Sequence, residues 1–298
     1  MRRRFFLIEN AIAGTGPGGL VARVVDLLER AGASVERCRG VSASEAEQHA
    51  ITAAHGGDFD ALIAAGGDGT IRHAARAVAG TNIPLGVIPL GTANVLAHEI
   101  GLVRTARELA HVLQAGSAET IEAPLANGEL FLLMAGAGFD GRVIEALSHA
   151  VKGRIGKVAY AGPILRALTR PADSLEVSID GKLHRTSWVV ITNARHYGGR
   201  FVIAPSTSVH EKGLRAVLFD APSRSELVKS LLALAMGQLG TCRHVSVHTC
   251  AHVEVRSEMR VPVQVDGDAF GATPLVVEAR GGPRVSLIMP AQDVSSAG

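Results

Sequence analysis

The sequence predicts an α/β protein in two parts: an N-terminal parallel-sheet domain over residues 1–122 and a mainly antiparallel β domain with covering helices over residues 123–298. Three observations carry this. Strands and helices alternate through the first third. After about residue 122 the chain turns β-rich. Glycine-rich turns fall at the carboxyl ends of the third and fourth strands. A length of 298 residues favours two cores.

Taken in order, Phe5–Glu9 is a short apolar strand. Leu20–Ala31 has helical spacing, with Leu20, Val24, Leu27 and Leu28 on one face and Gly32 as the stop. Ser34–Arg39 is a second strand, and Ser44–His55 a helix capped by Ser44. Asp60–Ala65 and Pro84–Ile88 complete four strands. Strands separated by helices imply βαβ units and a parallel sheet, which takes ligands beyond the carboxyl ends of its strands. In the second part, Leu175–Ile179, Ser187–Thr192, Leu214–Phe219, His244–His248, Ala251–Arg256, Val261–Val265 and Leu275–Ala279 are strand-like. Asp180-Gly181 and Asp266-Gly267 are hairpin turns. Helices are expected near Val143–Ala150, Lys157–Leu168 and Ser225–Gly237.

Composition excludes several classes. Aromatics make up only 4%, too few for a base-stacking surface, and 30 basic residues face 28 acidic ones, so no nucleic-acid partner is expected. Cys38, Cys242 and Cys250 are scattered and odd in number, which suits a reducing compartment and a cytoplasmic protein. No apolar run is long enough for a signal segment or a membrane span.

The strongest motif is Ala65-Gly66-Gly67-Asp68-Gly69-Thr70, after an apolar strand and before a helix expected to begin near Ile71. Its glycines let backbone approach a ligand, and the helix N-terminus suits phosphate. A carboxylate beside phosphate calls for a cation, so magnesium is expected at Asp68. The plain alternative is a turn with Asp68 as a cap. The second motif is Pro89-Leu90-Gly91-Thr92-Ala93-Asn94. Thr92 and Asn94 are candidates for phosphate or ribose contacts, or else caps of the next helix. Adjacent strands would bring both loops together.

These motifs resemble the catalytic domain shared by diacylglycerol kinases, sphingosine kinases and bacterial lipid kinases. Asn10 and Gly14 stand where that family has an Asn-Pro-x-Ser-Gly loop. Gly136-Ala-Gly-Phe-Asp140 resembles its Gly-x-Gly-x-Asp segment, Tyr197-Gly198-Gly199 with Ala204-Pro205 another stretch, and Asp266-Gly267-Asp268 its Asp-Gly-Glu. The resemblance implies a nucleotide domain and a lipid-binding domain with the active site in the cleft between them. It implies ATP and Mg2+, with a lipid substrate reached at the membrane surface by a protein transiently peripheral to it. Gly66, Gly67, Gly69, Thr70, Gly91, Thr92 and Asn94 would hold nucleotide together with Asn10, Gly14 and Asp68. Asp268 would accept the lipid proton, and Asp140 would bind metal or lipid head group or else cap a helix. A homodimer is left open.

The chain departs from that pattern at Ala11, Ala13, Thr15, His73 and Val95, and at Lys212 and Ala216 where bacterial relatives carry acids for a structural magnesium. Asp268 is a shortened carboxylate. Gly14-Thr-Gly16-Pro-Gly-Gly19 fits a dinucleotide fingerprint, but Pro17 has no N–H to offer. Gly136–Gly141 fits the same pattern without a βαβ unit, and Gly153–Lys157 is too short for a P-loop. Two rivals stand beside an ATP-dependent lipid kinase. One is an NAD kinase-like phosphotransferase. The other is a non-catalytic lipid or nucleotide sensor on a degraded kinase fold.

Overall fold

The computed structural model describes residues 1–9, 19–39, 42–149, 161–211, 213–221 and 223–291. The chain forms two compact units, Met1–Glu122 with the segment from Pro283 onward, and Ala123–Gly282.

The first unit alternates as its sequence pattern requires. It runs β1 (Arg4–Glu9), α1 (Leu20–Arg30), β2 (Ser34–Cys38), α2 (Ala43–Gly56), β3 (Ala61–Gly66), α3 (Asp68–Val78), β4 (Leu85–Pro89), α4 (Val95–Glu99), α5 (Ala106–Ala115) and β5 (Ser117–Glu122). Strand β1 pairs in parallel with β2 and β3, and β3 with β4. Phe5, Leu7, Ile63 and Ile88 from the sheet share a core with Val24 and Leu28 of α1 and Leu109 and Leu113 of α5. Two helix starts differ from expectation. Helix α2 is capped by Ser42, whose hydroxyl accepts from the Glu45 N–H while the Glu45 carboxylate returns to the Ser42 N–H. This reciprocal capping box wins over Ser44. Helix α3 starts at Asp68 with Gly67 as its cap residue, so Asp68-Gly69-Thr70 is its first turn and not a loop before it.

The second unit holds β6 (Leu125–Ala126), β7 (Glu129–Leu130), β8 (Met134–Ala137), α6 (Phe139–His149), α7 (Ala161–Thr169), β9 (Leu175–Ile179), β10 (Lys182–Thr186), β11 (Trp188–Thr192), β12 (His196–Tyr197), β13 (Phe201–Val202), β14 (Leu214–Phe219), α8 (Arg224–Ala235), β15 (Val245–Cys250), β16 (His252–Arg256), β17 (Pro262–Val265), β18 (Asp268–Ala272) and β19 (Leu275–Glu278). Two antiparallel sheets form, in the orders β10-β9-β16-β19-β6-β7 and β15-β14-β11-β8-β17-β18. Val177, Val253, Val255 and Val277 of one sheet share a core with Ala135, Ile191, Leu218 and Val263 of the other, so the unit is a sandwich. Asp180-Gly181 and Asp266-Gly267 are both tight turns with two positive φ values, 48° and 85° in the first and 49° and 85° in the second.

The expected span of the second domain, 123–298, needs correction. Strand β20 (Arg284–Met289) returns to the first unit, where it lies between β4 and β5. It pairs antiparallel with β5 along its whole length, and Leu287 and Ile288 are buried there. Among the described residues, no helix is long and apolar enough to cross a membrane.

Candidate active site

In the first unit the two glycine motifs meet because their strands are neighbours. Gly66 ends β3 directly beside Pro89, the end of β4. The Leu90 N–H donates to the Gly66 carbonyl at 2.9 Å. The loops then touch backbone to backbone: a Cβ on Gly91 would lie 2.6 Å from the Gly67 Cα. Any side chain there would force the loops apart. Asn94 takes left-handed backbone, φ 48°, and its amide donates to the Gly91 carbonyl at 2.6 Å.

Asp68 fastens the same junction. Its Oδ2 accepts from the Val95 N–H at 3.0 Å and its Oδ1 from the Leu96 N–H at 3.2 Å. These amides open α4, so Asp68 caps a neighbouring helix across the loop junction, where Asn94 and Thr92 were the expected candidates. The aspartate that begins α3 thereby sets the position of the loop after β4. The N–H groups of the first turn of α3 have no partner within that helix, by the geometry of helix ends, and form a cradle suited to phosphate. Thr92 is exposed beside it. Asn10 and Gly14 lie outside the described residues.

In the second unit the acids divide into distinct roles. Asp266 is buried, and its carboxylate accepts from the Leu132, Leu133 and Met134 N–H groups at 2.8, 2.9 and 2.9 Å. Asn193 adds a bond to the Leu132 carbonyl at 3.1 Å, and the Thr192 hydroxyl one to the Leu133 carbonyl at 3.2 Å. Together they clasp the segment that enters β8. Gln264, also buried, donates to Asp140 Oδ2 at 3.0 Å and accepts from the Gly267 N–H at 2.9 Å. It therefore couples Asp140 to the turn that carries Asp268, the first residue of β18.

Asp140 sits in the first turn of α6 and is 3% exposed. Gly136 makes room for it, since a Cβ there would meet its Oδ2 at 2.3 Å. Burial pushes its carboxyl up to about 7 against the bonds from Gln264 and the Gly141 N–H, with the nearby Trp188 indole N–H adding a weaker pull. That N–H is itself without a hydrogen-bond partner, so its pull on Asp140 is electrostatic rather than a formed bond. Asp140, expected to bind metal or lipid head group or else to cap a helix, meets Gln264 and the Gly141 N–H inside the unit. The glycines of Gly136–Gly141 likewise serve packing: a Cβ on Gly141 would meet the Pro262 carbonyl oxygen at 2.1 Å.

Comparison with known proteins matches both units. Residues 4–126 match the diacylglycerol kinase catalytic domain, and residues 134–288 the YegS C-terminal NAD kinase beta sandwich-like domain. The chain belongs to the diacylglycerol kinase and YegS-like lipid kinase family. The diacylglycerol kinase of Bacillus subtilis (strain 168) is 28% identical to this family member over 85% of its chain and 86% of the relative. The uncharacterized protein sll0036 of Synechocystis is 29% identical over 73% of this chain, which spans about half, 52%, of that relative's length. A diacylglycerol kinase structure from Bacillus anthracis str. Sterne superposes with a TM-score of 0.70 at 18% identity, covering 97% of this chain and 98% of the other, a likeness of fold.

Within this family member, magnesium is testable at Asp68. Mg2+ is commonly held by one or two carboxylates together with substrate phosphates and waters. Asp68 offers one partly exposed carboxylate whose oxygens accept from the Val95 and Leu96 amides. That fits a one-carboxylate mode and not an all-protein cage. Two departures also find structural roles. His73 pairs with Glu47 of α2 at 2.9 Å, and Ala216 is buried in β14 between β11 and β15. Lys212 lies outside the described residues. Gln264 escaped sequence reasoning. Its signal was a lone amide in the apolar run Val261–Val265, directly before an Asp-Gly turn.

Proposed function

We propose that this chain transfers the γ-phosphate of ATP to the hydroxyl of a diacylglycerol- or sphingoid-type lipid. The observation that carries the reading is the interlocked pair of glycine loops with a single carboxylate at their junction. Amides of Gly66, Gly67 and Gly69 cradle phosphate, assisted by Thr70, Gly91 and Thr92. Asn94 fixes the loop that presents Thr92. Asn10 and Gly14 contribute by resemblance. Asp68 holds both loops in register and would supply the carboxylate that meets Mg2+. When bound, that ion offsets charge on the transferring group.

Asp268 accepts the proton of the lipid hydroxyl, and Asp140 and Gln264 position the turn that bears it. The protein works from the water side as a cytoplasmic enzyme transiently peripheral to the membrane. An NAD kinase-like reaction is the second reading, favoured by the sandwich domain of the C-terminal match. The test is to incubate the purified chain with ATP, Mg2+ and diacylglycerol or sphingosine in mixed micelles and analyse products by mass spectrometry. A lipid phosphomonoester is expected; phosphorylated NAD in a parallel reaction, with no lipid product, would favour the second reading.

A further inference from the structure

Helices α7 and α8 of the second unit are built the wrong way round for a closed surface. Helix α8 turns its small residues Ser230 and Ala233 inward with Leu234, and anchors Ser230 to His244 at 2.7 Å. Its larger residues Val228, Leu232 and Met236 face out, 39%, 56% and 64% exposed. Their spacing of four places them in one stripe. Helix α7 repeats the inversion, with Ala167 buried and Leu165 65% exposed. The two helices pack together, and Arg224 donates to the Thr169 carbonyl at 2.6 Å. Strand β13 also packs on α8 and exposes Phe201. Scattered exposed apolar residues need no explanation, but a stripe of them on adjoining elements does.

The rim of this face carries a net positive charge, with Glu226 as the acid beside Lys229. Arg166, Arg170, Arg224 and Lys229 are all exposed. A cavity of about 120 Å³ between α6 and α7 is lined by Arg142, Arg166 and Arg170 with Glu145. Arg142 pairs with Asp173 and Glu145 with Arg260, which leaves the cavity's positive balance to Arg166 and Arg170.

We propose that the outward face of α7 and α8, with Phe201 beside it, is the surface on which this chain rests against an anionic lipid bilayer. Apolar side chains at the centre enter the acyl boundary, and the arginines meet lipid phosphates at the rim, the arrangement of an interfacial helix. Charge selects this occupant over a second copy of the chain. A two-fold contact through this face would bring like cationic rims together. The proposal rests on the lipid kinase reading for its purpose, but it is tested without nucleotide.

The experiment is co-sedimentation of the full chain with vesicles of phosphatidylcholine, alone or mixed with phosphatidylglycerol, with light scattering of the free protein. Wild type is expected to partition onto the mixed vesicles. The double variant Leu232→Glu/Met236→Glu should reduce partitioning at least about tenfold, since two apolar side chains no longer insert. Arg166→Glu/Arg170→Glu should reduce it on anionic vesicles only, and added salt should mimic that change. The thermal melt of Leu232→Glu/Met236→Glu should stay at the wild-type value, because both side chains face outward. Wild type that ignores mixed vesicles, or an apolar variant that sediments like wild type, overturns the proposal. So does a wild-type dimer that the apolar variant splits while vesicle binding persists. A chain that binds vesicles yet phosphorylates no lipid keeps this surface and overturns the kinase reading.

Discussion

Replacing Asp68 with Asn separates two roles of one side chain. The carboxylate accepts one N–H on each oxygen, from Val95 and Leu96. An amide keeps one acceptor and presents its NH2 to the other donor. Leaving a partly buried N–H unmet costs about 1–3 kcal/mol. Losing the negative charge at the start of α3 adds about 0.3–1 kcal/mol. The sum, about 1–4 kcal/mol, corresponds to a melting temperature lowered by roughly 4–15 °C for a unit of this size. Native stabilities run to about 5–15 kcal/mol, so the variant remains folded at 25 °C. Phosphotransfer at that temperature should nevertheless fall by at least about 10³-fold, because the group proposed to organise charge at the phosphates is gone. The assay pairs an initial rate with a calorimetric melt. Near-normal turnover with a lowered melt reduces Asp68 to a cap. An unchanged melt refutes the cap.

Three further outcomes follow from the second unit. Asp266→Asn should cost about 3–5 kcal/mol, read by denaturant unfolding, since three buried amides share one carboxylate while Asn tolerates the same left-handed backbone. Asp140, with its carboxyl raised to about 7, holds a proton in the folded state that the unfolded state has released above about pH 4. Its contribution should therefore be fully present below about pH 4 and fall by on the order of 4 kcal/mol as pH rises toward 7, so Asp140→Asn should remove that component of the slope in pH-dependent melts. Asp268→Asn should lower kcat about 10²–10⁴-fold with ATP affinity retained; a kcat within a few-fold of wild type assigns the proton to another base.

The first third of the fold was legible because each strand and helix carries its own period, and because short βαβ connections leave few topologies. What failed there was local competition. Ser42 and Ser44 both have the chemistry of a cap, and each has a Glu three residues on; Glu45 reciprocates to Ser42, while Glu47 is taken by His73 and Arg76 of α3. Strand β20 was not legible as a member of the first sheet, since its partners lie in β4 and β5 at the far end of the sequence. No strand was assigned at Arg284–Met289 from sequence, and a local pattern would not have named its neighbours.

The candidate site shows the same division. That the two glycine loops would meet could be argued from adjacent strands. That Asp68 would cap α4 could not, because the bond joins residues 27 and 28 positions apart through a loop of unspecified path. Asp266 was readable as a turn residue, and its turn forms. Its carboxylate also bonds the entry to β8, where three amides need a buried acceptor. Asp140 was expected as a ligand from the family resemblance of Gly136–Asp140, with a helix cap as the alternative. The glycine at 136 instead makes room for the carboxylate to be buried.

The central claim is tested most directly by one initial-rate measurement with γ-labelled ATP and Mg2+. The purified chain is offered a panel of diacylglycerol, sphingosine, ceramide and NAD as acceptors in parallel. The account predicts label in a lipid product, dependent on Mg2+, with NAD unlabelled. Label in NAD alone, or ATP left intact with every acceptor, would contradict it.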